Sequence, residues 1–206
     1  MTFIKTIAPD EAEGRLKTLY DRITGPDGRI DNIMTAHSLR PPSLEGHMSL
    51  YKNVLHHSAN TTPKWLLETI GVYVSIMNNC AYCVEHHFEG LRHLLKDDAR
   101  AEQIRSALNA GAAGDIMEQD VLAPKESAAL RYAAMITKTP ELIRANDIEL
   151  LRTAGWNDGE ILEINQVAAY FAYANRTVLG LGVTTEGDRL GLSPNNSDDE
   201  NDWGHQ

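Results

Sequence analysis

Residues 65–77 constrain this chain more than any other stretch. Read as a helix opened by Pro63, they place Leu66, Leu67, Ile70, Val72, Tyr73, Val74 and Ile76 around most of the circumference, so the helix has to be buried on nearly all sides. Other segments carry the same period. Asp10 is placed to cap a helix to about residue 24, with Leu16, Leu19, Tyr20 and Ile23 on one side, and Gly25-Pro26-Asp27-Gly28 ends it. A short helix at 33–38 precedes one after Pro41-Pro42 that carries Leu44, Met48, Tyr51 and Leu55. Later helices are expected at 99–110, at 125–138 before Pro140, and at 146–154 before Gly155. A last long one runs from Asn157-Asp158 to about residue 179 and is the second central helix. No segment alternates with period two, so the class is all-α.

Asn78-Asn79 breaks the apolar helix, because asparagine competes for backbone groups and favours caps over helix interiors. Directly after the break stand the only two cysteines of the chain, Cys80 and Cys83, opening a helix to about residue 96. A Cys-x-x-Cys pair there sets two thiols about one turn apart, close enough to interconvert between dithiol and disulfide. His87 lies four residues after Cys83, on the same helical face. Glu68 is the one carboxylate of the apolar helix. On a straight rod it would stand ~18 Å from Cys80, whereas a fold-back at Asn78-Asn79 puts it ~14 Å down one arm and His87 ~10 Å up the other, nearly level. Such a central Cys-x-x-Cys helix hairpin would let Glu68 orient His87, and His87 take a proton from a thiol. Burying Glu68 without a partner would be costly, an independent reason to expect one.

The rest of the composition narrows the surroundings. With 206 residues, 42% of them hydrophobic, a sizeable core is affordable, and residues 1–185 read as one all-helical domain. The formal net charge of -10 argues against nucleic acid and against a basic membrane-binding face. The N-terminus lacks a signal-peptide core, and no segment is long and apolar enough to span a bilayer. Two cysteines at redox spacing fit a reducing compartment, so a cytoplasmic location is expected. Residues 186–206, rich in Gly, Asn, Asp and Ser, read as an acidic, flexible tail or one held only by a partner subunit.

Glu68, Cys80, Cys83 and His87 reproduce the spacing Glu-x11-Cys-x-x-Cys-x3-His of the alkylhydroperoxidase D-like proteins, within the carboxymuconolactone decarboxylase superfamily. With Ala36-His37-Ser38-Leu39-Arg40-Pro41 upstream and Asn175-Arg176 downstream, the chain resembles the subgroup called uncharacterised peroxidase-related enzymes over residues 3–185. The resemblance implies a helical homo-oligomer that reduces hydrogen peroxide or organic hydroperoxides with a dithiol, without haem, flavin or metal, and is recycled by an external thiol or dithiol electron donor. It also implies Cys83 as peroxidatic cysteine, Cys80 as resolving cysteine, and His87 and Glu68 as proton relay. Position alone leaves the order of the thiols open, since Cys80 is nearer the helix N-terminus while Cys83 is better spaced to His87. The chain departs from the pattern at Tyr82, where some members carry a second histidine. His86 reads as a surface or interface residue, and His37, His47, His56 and His57 have no partner at a telling spacing. Other readings of the same motif are a disulfide reductase or electron-transfer adaptor for another peroxidase, and a redox-sensing or metal-holding oligomer without turnover.

Overall fold

The computed structural model describes residues 2–118 and 120–205, and among these every regular element is a helix. Nine α-helices follow in order: α1 (Gly14–Ile23), α2 (Asn32–Thr35), α3 (Pro41–Tyr51), α4 (Lys64–Met77), α5 (Ala81–Leu95), α6 (Asp98–Ala113), α7 (Pro124–Lys138), α8 (Ala145–Thr153) and α9 (Asp158–Leu181). The apolar α4 sits at the centre, packed by α5, α6, α7 and α9. That follows from its sequence, because residues 66–75 are buried without interruption and each neighbour has to supply an apolar face. One contiguous core runs from Ala12 to Trp203.

Local chemistry sets the boundaries. Asn157 and Glu160 form a reciprocal capping box at the start of α9, and Gly182 ends that helix at a φ of 63°. The α1 start differs from expectation. Asp10 belongs to a separate 3-10 turn, Pro9–Glu11, because Pro9 presets that turn and Ala12 then extends the backbone, so α1 begins only at Gly14 and has no side-chain cap. After Tyr51, α3 widens into a π-turn, Lys52–His56, which turns Lys52 into the protein.

Residues 186–205 pack against this part of the same chain. The Lys52 ammonium donates to the Asn195 carbonyl and to Ser197 Oγ, at 3.0 Å, and the buried Trp203 ring stacks under the Arg22 guanidinium at 3.8 Å. The polar composition that suggested a loose tail supplies the acceptors that a buried lysine needs.

Gly71 is where α4 and α9 come closest. A Cβ built there would overlap the Phe171 ring, and that ring meets His87 edge-on at 4.5 Å. Gly71→Ala is therefore expected to destabilise the protein by about 1–3 kcal/mol through overpacking, read as a lowered urea midpoint. A loss within about 0.5 kcal/mol would mean that the ring steps aside freely.

Candidate functional site

The site is set by the connection between α4 and α5. Asn79 takes the left-handed conformation, φ 55°, which asparagine tolerates better than most residues. Cys80 then becomes the cap residue of α5, its amide bonded to the Ser75 carbonyl at 2.9 Å and its carbonyl accepting the Val84 amide at 3.0 Å. Cys83 lies in the first turn. Both cysteines are free, both are buried, and they approach to 3.3 Å.

Their environments differ. The Cys80 thiol is held below the ordinary cysteine range by the Cys83 thiol donating to it, with the Cys83 amide and the Asn175 side chain adding to the effect against the opposing cost of burial. The Cys83 thiol is pushed well above that range, because it gives its hydrogen to Cys80 and because it is buried. Access favours the other sulfur: Cys83 lines a cavity of about 30 Å³, and Cys80 stands behind it. That volume has room for only one or two water-sized molecules.

His87 and Glu68 line the same cavity. His87 Nδ1 lies 2.7 Å from Glu68 Oε2, so the buried Glu68 has its partner. A carboxylate accepts, so Nδ1 carries the hydrogen and Nε2 is left as a base. Of the four residues singled out by spacing, Glu68, Cys83 and His87 line one cavity, and Cys80 stands beside it in contact with Cys83.

Other residues belong to the site and were not singled out. Asn175 is fully buried at the thiols, and it is fixed by donating to Ser75 Oγ at 3.0 Å and accepting from Asn78 Nδ2 at 2.9 Å. His86, expected at the surface or at an interface, is buried within the chain, with Nε2 3.1 Å from Asp188 Oδ2. The Tyr82 hydroxyl donates to the same oxygen at 2.7 Å and accepts the Ile33 amide at 3.2 Å. For Asn175 a signal existed in the Asn175-Arg176 pair. For Asp188 there was none, since no periodicity governs an irregular segment.

The arrangement of helices around a buried α4 and a Cys-x-x-Cys start of α5 is that of the alkylhydroperoxidase D-like fold, and the chain has that fold. Among solved structures, it is similar to the alkylhydroperoxidase AhpD core of an uncharacterized peroxidase-related protein from Ralstonia eutropha JMP134, with a TM-score of 0.75 and 21% identity over 89% of this chain and 91% of that one. An uncharacterized peroxidase-related protein from Silicibacter sp. TM1040 has a TM-score of 0.70 and 24% identity, again over 89% and 91% of the two chains. A cysteine-to-alanine variant of the debrominase Bmp8, in complex with 2,3,4-tribromopyrrole, has a TM-score of 0.66 and 16% identity over 91% and 95%. At these identities the likeness is one of fold. No family model matches the sequence, and no curated protein matches it. No helix among the described residues is long and apolar enough to cross a membrane.

Proposed function

We propose that the protein is a dithiol peroxidase that reduces hydrogen peroxide or small organic hydroperoxides and is recycled by an external thiol or dithiol. One observation carries the reading: two free thiols 3.3 Å apart, one of them lining a small cavity that a hydrogen-bonded Glu–His pair also lines. Cys83 is the attacking residue because its sulfur faces the cavity, and its proton passes to His87. The sulfur attacks the terminal peroxide oxygen, the O–O bond breaks, and the electron pair leaves on an alkoxide that takes up a proton. Cys83 is then a sulfenic acid. The Cys80 sulfur attacks it, forming the disulfide and releasing water made of the sulfenic hydroxyl and the Cys80 proton. The starting separation asks for little backbone movement. Reduction of the disulfide by the external dithiol completes the cycle.

The cavity supports small, neutral substrates. Glu68 contributes a carboxylate to its lining, and the formal net charge is -10, so an anionic peroxide approaches against the field. The test is titration of the two thiols against a panel of peroxides, with mass analysis for an intramolecular disulfide. Hydrogen peroxide and ethyl hydroperoxide are expected to consume both thiols, at least about tenfold faster than a carboxylate-bearing fatty-acid hydroperoxide. Thiols that survive every peroxide but turn over rapidly with a protein or lipoyl disulfide would replace this reading with that of an electron-transfer adaptor.

A further inference from the structure

His86 and His87 follow Cys83 by three and four residues, so both stand next to it on the surface of α5, and they serve two separate groups of side chains. His87 is engaged by Glu68. His86 is engaged by a cluster that no part of the motif announces, in which its ring nitrogen and the carboxylates of Asp31 and Asp188 all have atoms within 4.8 Å of one another. Asp31, His86 and Tyr82 line the same cavity as Cys83. We propose that Asp31, held beside His86 and Asp188, is the acid that delivers a proton to the departing oxygen of the peroxide, a group distinct from the His87–Glu68 pair that takes the proton of the thiol. This deepens the peroxidase reading and rests on it.

The hydrogen bonds favour a proton carrier over a metal site. Asp188 Oδ2 already accepts from Tyr82 Oη at 2.7 Å, from the Asn32 amide at 3.1 Å and from His86 at 3.1 Å, while Oδ1 accepts the same amide at 3.0 Å. An oxygen so occupied by donors has no lone pair left over for a cation. His86 Nε2 therefore points a hydrogen at a carboxylate. Asp31, by contrast, caps no helix amide although it stands at the start of α2. Burial raises its pKa to about 7, with His86 pulling it down and Asp188 and Asp27 pushing it up, so near neutral pH about half of it holds a proton that it can give away. Tyr82 and Asp188 position this pair. The position where a relay histidine is missing between the cysteines thus holds the tyrosine that helps fix His86.

The proton count closes. His87 receives the proton of Cys83, the leaving alkoxide takes the proton of Asp31, and His87 returns its proton to Asp31 through the cavity before the next turnover. The sum is one hydroperoxide and two thiols giving one alcohol, one disulfide and one water.

The experiment compares two small neutral reagents on the same sulfur. Hydrogen peroxide expels a poor leaving group that needs a proton. Methyl methanethiosulfonate transfers a methylthio group to the thiolate and releases methanesulfinate, a stable anion that needs none. Asp31→Asn is expected to slow peroxide oxidation about 100-fold and His86→Gln about tenfold, with the thiosulfonate rate within about twofold of wild type in both. Equal slowing with both reagents, or an unchanged peroxide rate in Asp31→Asn, overturns the assignment, as does stoichiometric Zn²⁺ or Mn²⁺ binding to wild type that is lost in His86→Gln. A wild-type protein that reacts with the thiosulfonate and with no hydroperoxide overturns the peroxidase reading itself.

Discussion

Replacing Cys83 with serine is expected to slow peroxide-driven oxidation of the remaining thiol by about three orders of magnitude or more, since it removes the one thiol that lines the cavity among the described residues. Cys80→Ser is expected to behave differently. Cys83 can still be oxidised once, and the sulfenic acid then persists because no second sulfur stands within reach, so a sulfenate-trapping reagent should label this variant and not the wild type. The contrast matters because the two thiols are pulled in opposite directions. Electrostatics concentrates negative charge on Cys80, which receives the Cys83 thiol, the Cys83 amide and the Asn175 side chain, whereas access favours Cys83. The structure relates the two facts through the 3.3 Å contact: the hydrogen that Cys83 shares with Cys80 at rest has to leave for His87 before Cys83 attacks. Should the sulfenate instead appear on Cys80 in Cys83→Ser, at a rate close to wild type, the roles are exchanged and Cys80 must reach the cavity by a movement of α5.

Much of this site was legible because its members lie on two helices with a short break between them. Glu68 and His87 could be expected to meet by counting rise per residue on either side of Asn78-Asn79, and a 2.7 Å hydrogen bond joins them. The central position of α4 was legible for a related reason, since a helix apolar all round has one place to go. Asp31 and Asp188 were not legible. Each belongs to a segment without periodicity, and they meet only because the chain after α9 returns to the start of α2, where Asn32 donates its amide to Asp188 and its side chain to the Thr184 and Glu186 carbonyls. His86 was misjudged with them, because its surroundings depend on that return. Lys52 is buried for a similar reason, since the π-turn carries it inward and residues 195–197 supply its acceptors.

Acid should destabilise this protein more steeply than its carboxylates alone would suggest. His47, His56 and His205 are buried side by side with the Tyr51 and Tyr170 rings, and burial keeps all three in the neutral form. His47 is lowered to about 3 and His205 to about 4, His56 lies well below the ordinary value, and His37 is lowered as well. An unfolded histidine titrates near ~6.5, so below that pH the unfolded chain binds protons that the folded chain refuses. Stability is thus whole above about pH 6.5 and falls as the pH drops toward the folded values. At about pH 4.5, His47 and His205 together remove about 5 kcal/mol. Asp31 acts the other way: its folded value of about 7 exceeds that of an unfolded aspartate, so acid stabilises it in the fold and returns about 3 kcal/mol over the same range. His56 and His37 add to the loss. The net expectation is a decline of at least about 2 kcal/mol between about pH 7.5 and 4.5, a large share of a typical folding free energy. Urea unfolding at the two pH values measures it, and two variants separate the contributions by sign. His47→Gln should make the decline shallower by one proton, and Asp31→Asn should make it steeper, because the offset is gone. A midpoint that does not fall on acidification would mean that these rings gain protons without leaving the fold, through water that reaches the unpartnered His56 nitrogens and His47 Nδ1.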